Sequence, residues 1–260
     1  MPGRPEPHPA RVYDYWLGGK DNFTVDRELG DALKARGYPA VYGARANRAY
    51  LGRVVRFLIK DAGISQFLDI GPGLPSPGNT REILDELAPH ARVAYVDRDP
   101  IVLAHARARL NLAAGLVDYI EADVRDTGTI LAGARRTLDL SQPVAVLMIA
   151  VLHYLPDIDA ARDAVSGLLA GLPSGSYLAH SDLASDSGNN KVSDGIERVN
   201  RSYDEQLYPR PSAELASLHD GLELVEPGFV NITAWHPDDG AGLPPGVIVP
   251  VFGGVSRKRG

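Results

Sequence analysis

Four short segments place glycines, carboxylates or a histidine directly after apolar runs: Asp69-Ile70-Gly71-Pro72-Gly73, Asp97-Arg98-Asp99, Asp123-Val124-Arg125 and Ala150-Val151-Leu152-His153-Tyr154. Each residue type suits a different task. Glycines let backbone approach a ligand closely, and a following helix offers free N–H groups to an anion. A merely tight strand–helix turn is the plainer reading of a lone Gly-x-Gly. A carboxylate at Asp97 can accept both hydroxyls of a ribose through charge-strengthened hydrogen bonds. Asp123 can meet an adenine amino group with Val124 against the ring; alone such a residue is more often a solvated turn residue. Asp99, directly before Pro100, has the simpler task of a helix N-cap. His153 is placed for general-base work, worth roughly 10²–10⁴-fold in rate, with His180 and Asp182 as alternatives. A structural histidine is an equal reading of His153.

These residues need a scaffold that presents strand ends together. Gln66–Ile70, residues 92–96, 117–122, 143–149 and 176–181 read as short strands. Between them lie helical segments: one opened by Asn79 as N-cap with Glu82 three residues later, one beginning near Pro100, and one over about 157–169. Such alternation implies a parallel sheet with right-handed crossovers, and ligands of such sheets lie beyond the carboxyl ends of the strands. Segments 222–225, 229–235 and 247–255 are β-like and separated by turns, which predicts a C-terminal antiparallel hairpin at the sheet edge. Ahead of the first strand, Ala46, Tyr50, Val54, Phe57 and Leu58 recur at helical spacing, while Arg45, Arg48, Arg53 and Arg56 mostly take the other faces. Residues 1–11 read as a flexible arm. Ile196, Val199, Tyr203 and Leu207 form a helical stripe after the polar run Asp186-Ser187-Gly188-Asn189-Asn190, a candidate lid.

Composition excludes several classes. The formal net charge of −6 and the scattered arginines (22 Arg against 5 Lys) argue against a nucleic-acid partner. With no cysteine there is no disulfide, thiolate metal site or thiol nucleophile, in keeping with a cytoplasmic location. No signal peptide or membrane-length apolar run is visible. The seven histidines form no metal-ligand pattern, so no metal is expected. Ser76 breaks the dinucleotide pattern G-x-G-x-x-G, and neither a Walker loop nor a Gly-x-Ser-x-Gly elbow occurs.

Phe67-Leu68-Asp69-Ile70-Gly71-Pro72-Gly73, Tyr95-Val96-Asp97 and Glu121-Ala122-Asp123-Val124 resemble the first three motifs of class I S-adenosylmethionine-dependent methyltransferases. Residues 151–157 resemble their segment after the fourth strand. Residues 11–23, with Asn47-Arg48, residues 74–79 and Tyr208-Pro209-Arg210, are similar to an actinobacterial S-adenosyl methyltransferase family. The resemblance implies an α/β, Rossmann-like class I methyltransferase fold: a seven-stranded, mostly parallel sheet with the C-terminal hairpin and an N-terminal helical cover. Residues 1–62 would be arm and cover and 63–260 the core, together one structural domain. The implied cofactor is S-adenosylmethionine. Gly71 and Gly73 would cradle its methionine part, Asp69 would help hold its amino end, Asp97 its ribose, and Asp123 with Val124 its adenine, with Pro72 and Arg98 also among the cofactor-binding residues. Ala150 would face it, and Tyr15 and Arg48 would contribute from the cover. The implied reaction is methylation of a small-molecule O or N acceptor, with His153 and Asp182 as candidate catalytic residues; oligomeric state is not legible. The third glycine usual in class I enzymes is replaced here by the insertion Leu74-Pro75-Ser76-Pro77. A non-catalytic S-adenosylmethionine-binding protein and an NAD(P)-dependent oxidoreductase are the alternatives.

Overall fold

The chain folds as two helical layers on one central sheet, in a computed structural model that describes residues 6–109, 115–188, 190–202, 205–238 and 243–260. Asn189, Tyr203 and the first five residues lie outside the described residues. Three helices precede the sheet: α1 (Pro9–Trp16), α2 (Thr24–Ala35) and α3 (Ala40–Lys60). The alternating core follows as β1 (Gln66–Ile70), α4 (Thr80–Leu87), β2 (Arg92–Asp97), α5 (Pro100–Arg109), β3 (Val117–Glu121), α6 (Thr127–Ala134), β4 (Ala145–Ile149), α7 (Ile158–Ala170) and β5 (Tyr177–Leu183). The remainder comprises α8 (Asn190–Ser202), α9 (Ser212–Ala216), β6 (Glu223–Leu224), β7 (Val230–Asn231) and β8 (Val251–Arg257).

Local chemistry places the helix starts. Asn79 accepts the Glu82 N–H at 3.2 Å, the cap expected from sequence, while Asp157 and Asp126 cap α7 and α6 in the same way. Asp99 accepts the Ile101 N–H at 2.8 Å and so caps α5.

The sheet order is β3-β2-β1-β4-β5-β8-β6, with β1 to β5 parallel and β8 antiparallel to β5. Strand order reverses between β1 and β4, which is where a ligand crevice opens. The sheet holds eight strands where sequence reading expects seven. The expected antiparallel addition sits at the β5 edge of the sheet: β8 zips along β5, and β6 and β7 both pair antiparallel to its far side. Trp235, at the end of the expected strand 229–235, is fully buried in packing against Tyr50 and Phe57 rather than in a strand.

Pleating divides the core. Phe67, Val93, Tyr95, Ala145 and Leu147 face α3 and Trp235, whereas Leu68, Ala94, Val96, Val146 and Met148 face the α6–α7 side. β4 is thus covered on both faces, as its continuous apolar run predicts. Arg53 departs from the polar face expected of it. It is buried, and donates to the Trp235 carbonyl at 2.8 Å and the Ile232 carbonyl at 2.6 Å, tying the cover to the C-terminal segment. A third cluster, with Val12, Leu33, Ile196, Val199 and Leu207, joins α1 and α2 to α8. No helix among the described residues is long and apolar enough to cross a membrane.

Candidate active site

Segments leaving β1, β2, β3 and β4 converge on one cavity of about 530 Å³, closed from the other side by α1 and α3. Asp69, Gly71, Pro72, Gly73, Asp97, Arg98, Asp123, Val124, Ala150, His153 and Arg48 all line it. Tyr15 does not. Residues 13 and 16 share one face of α1 and put Tyr13 and Trp16 on the cavity. Tyr15 is turned away, its hydroxyl donating to Asp31 of α2 at 2.8 Å.

The β1 exit is built for close approach. The Gly71 N–H bonds the Val96 carbonyl at 2.8 Å, and Gly71 and Gly73 hold φ of +64° and +65°. A Cβ on Gly71 would lie 2.6 Å from Val151 Cγ2. Ala150 at the β4 exit takes φ of +58°, a left-handed conformation that costs a non-glycine residue roughly 1–2 kcal/mol. Its N–H bonds the Ser181 carbonyl at 2.8 Å, which holds it there.

Two carboxyls on this wall make no salt bridge among the described residues. Burial pushes Asp69 up to about 6, although the Thr80 hydroxyl donates to it at 2.6 Å. Burial also lifts Asp97 to about 6 against the Asp99 N–H, which donates to it at 3.0 Å. Asp123 behaves oppositely. A two-pronged bond from Arg125, 2.7 Å on each prong, holds it at about 2. On α3, Asn47 is fully engaged: it donates to the Tyr13 hydroxyl at 3.2 Å and accepts from Ser181 at 2.7 Å. Its neighbour Arg48 keeps a buried Nε with no hydrogen-bond partner.

His153 lies in the 3₁₀ turn Leu152–Tyr154 after β4, with Nδ1 bonded to Asp182 of β5. Asp182 is fully buried and stands behind His153 rather than on the cavity. Burial alone would raise its carboxyl; His153 and then His180 outweigh this and hold it below the usual carboxylate range. His180, a second candidate base in the sequence, is fully buried 3.6 Å from the other Asp182 oxygen and outside the cavity lining. Register explains the divergence: residues 180 and 182 point to the same sheet face, while His153 reaches that face from the neighbouring turn. The turn itself is clamped. The Tyr208 N–H donates to the His153 carbonyl at 2.7 Å, and Arg210 donates to the carbonyls of Leu152 and Leu155.

Sequence reasoning missed Asp14. It is buried and accepts from Ser76 Oγ at 2.8 Å, the Asp21 N–H at 2.9 Å and Asn22 Nδ2 at 3.0 Å. One carboxylate thereby joins α1, the turn after it and the proline-rich loop after β1. Its place inside the polar 11–23 run was the available signal.

An S-adenosyl methyltransferase family profile matches residues 4–259. The chain belongs to the S-adenosyl methyltransferase family. It is an S-adenosylmethionine-dependent methyltransferase. This methyltransferase is 41% identical to a DUF574 family protein of Streptomyces avermitilis MA-4680, over 97% of this chain and 98% of that one, with a TM-score of 0.89. It is 39% identical to a candidate methyltransferase of Thermobifida fusca YX, over 98% and 96%, with a TM-score of 0.88. Plantazolicin methyltransferase BamL, at 12% identity and a TM-score of 0.56 over 96% of each chain, shares the fold alone. No curated protein matches the chain. The methyltransferase's cavity fits its cofactor in three respects: the partnerless Arg48 Nε suits a carboxylate, Gly71 leaves room only for bare backbone, and two buried carboxyls suit hydroxyl and ammonium donors.

Proposed function

We propose that this methyltransferase methylates an oxygen or nitrogen of a small molecule, with His153 as general base and Asp182 as the residue that orients it. The observation that carries this reading is that His153, bonded to Asp182 behind it, lines the same cavity as Gly71, Asp69 and Asp97. When bound, S-adenosylmethionine supplies a methyl group activated by a positively charged sulfur. The chain's share is mainly positioning, which such an in-line displacement rewards most. Gly71, Pro72 and Gly73 offer backbone to the methionine part, Arg48 meets its carboxylate and Asp69 its ammonium. Asp97 with Arg98 takes the ribose, and Val124 with Asp123 takes the adenine. Ala150 closes the floor. Ionised Asp182 can only accept, so it draws the proton of His153 to Nδ1 and leaves Nε2 basic.

The cover of residues 1–62 belongs to this proposal as one wall of the site over the core of residues 63–260. A small-molecule acceptor, rather than nucleic acid, accords with the net charge of −6, and a cytoplasmic location with the absence of cysteine. Incubation with labelled S-adenosylmethionine and a metabolite extract tests the reading. S-adenosylhomocysteine should form with wild type and fall at least 100-fold with His153→Gln. Cofactor binding without any extract-dependent turnover would reduce the chain to a binder.

A further inference from the structure

We propose that the acceptor is a neutral, planar phenol carrying at least one further oxygen, held in the outer compartment of the cavity between α1, the start of α3 and α8. This rests on the methyltransferase reading with His153 as base. Three independent features of the compartment carry it.

The first is shape. Trp16, Tyr38 and Tyr154 line the cavity and pack in one cluster with Leu183, Val199 and Leu207. Tyr38 is backed by Gly195 of α8, where an added Cβ would meet the ring at 2.5 Å. Rigid aromatic walls favour a flat, aromatic occupant. The second feature is charge. Charged groups at the cavity's edge are already matched: Arg98 with Glu205, Arg125 with Asp123, His8 with Asp99. Arg48, Asp69 and Asp97 belong to the cofactor wall, and among the described residues no lysine lines the cavity. A charged acceptor would therefore lose its hydration without gaining a partner. The Tyr38 and Tyr154 hydroxyls, in contrast, have no hydrogen-bond partner among the described residues, and burial keeps both protonated. They offer neutral handles to a further oxygen on the ring.

The third is the base. An uncharged amine already presents its lone pair, and a saturated alcohol is too weak an acid for an imidazole. A phenol, with an ordinary pKa of about 10, is within reach of one. The phenol O–H proton passes to His153 Nε2 as the new O–CH₃ bond forms and the S–CH₃ bond breaks. The sulfonium charge is discharged to a neutral thioether, and the imidazolium stands against the Asp182 carboxylate until solvent takes its proton.

The test compares 2,7-dihydroxynaphthalene, 2-naphthylamine and saturated decahydro-2-naphthol. Each is titrated by calorimetry into protein saturated with S-adenosylhomocysteine, and each is then incubated with S-adenosylmethionine. The diol should bind at least about tenfold tighter than the saturated alcohol and be methylated faster than the amine. Tyr154→Phe and Tyr38→Phe should each weaken diol binding by about fivefold, the value of one neutral hydrogen bond, without changing S-adenosylhomocysteine affinity. Equal binding of the saturated alcohol, faster methylation of the amine, or no effect of either Phe variant would overturn the phenol assignment. Failure of S-adenosylhomocysteine itself to bind would instead overturn the underlying reading.

Discussion

Asp97 should cost the empty protein stability, and removing its charge should reveal that cost. Its carboxyl is lifted by burial from 3.8 to about 6. That is roughly two powers of ten in ionisation, or about 3 kcal/mol. Because the folded pKa lies above the unfolded one, the native state binds more protons between about pH 4 and 6. Stability from this group is therefore full below about pH 4, falls as pH rises through 6, and is lost at neutrality. Asp97→Asn is neutral throughout and escapes the penalty, and its amide oxygen can still accept the Asp99 N–H. At about pH 7.5 the variant should be more stable than wild type by up to about 3 kcal/mol. For a chain of this size that is roughly 6–12 °C in Tm. At about pH 4 the two should coincide. Cofactor affinity should move in the opposite sense: it rises with pH through about 6 in wild type, and in Asp97→Asn it is weaker and rises less steeply, because only Asp69 still ionises over that range. Thermal melts across pH without cofactor, with calorimetric titrations over the same range, give both slopes. A variant no more stable than wild type at neutrality, or wild-type affinity indifferent to pH, would refute the argument.

Other outcomes follow from neighbouring geometry. Asp182→Asn should lower kcat by about 10²–10⁴-fold in acceptor-dependent turnover, through the wrong His153 tautomer, while S-adenosylmethionine affinity measured by calorimetry stays put. Gly71→Ala places a Cβ 2.6 Å from Val151 and forces an alanine to φ of +64°, so the same titration should show cofactor binding abolished. A melt should show at least roughly 1–2 kcal/mol of destabilisation. Arg48→Met removes the charged donor and should weaken S-adenosylmethionine by about 10- to 100-fold, with a smaller loss for an analogue lacking the methionine carboxylate.

Much of this was legible because strands and caps are local. Gln66–Ile70 reads as a strand from five residues, and Asn79 announces its helix through Glu82. The strand-end residues were legible too, since a parallel sheet brings its carboxyl ends together whatever the loops do. What escaped depends on distant partners. Arg53 looks like a surface arginine until the carbonyls of Ile232 and Trp235 arrive from the far end of the chain. Asp14 gains meaning only when Ser76 folds beside it. Which aromatics of the 11–23 run reach the cavity depends on helix phase, which presents Tyr13 and Trp16 and turns Tyr15 toward Asp31. The antiparallel edge was legible, but not that β6 and β7 would both pair with β8, because those partners are set by register across the sheet and not by one turn.

The central claim is that the cavity beyond β1 to β4 holds S-adenosylmethionine with Asp97 as a ligand. Calorimetric titration of S-adenosylmethionine and of NADH into wild type and Asp97→Ala tests it most directly. Wild type should bind one S-adenosylmethionine and no NADH, and Asp97→Ala should bind S-adenosylmethionine at least about tenfold more weakly, the loss of one charge-assisted hydrogen bond. Preferential binding of NADH, or an unchanged affinity in the variant, would contradict it.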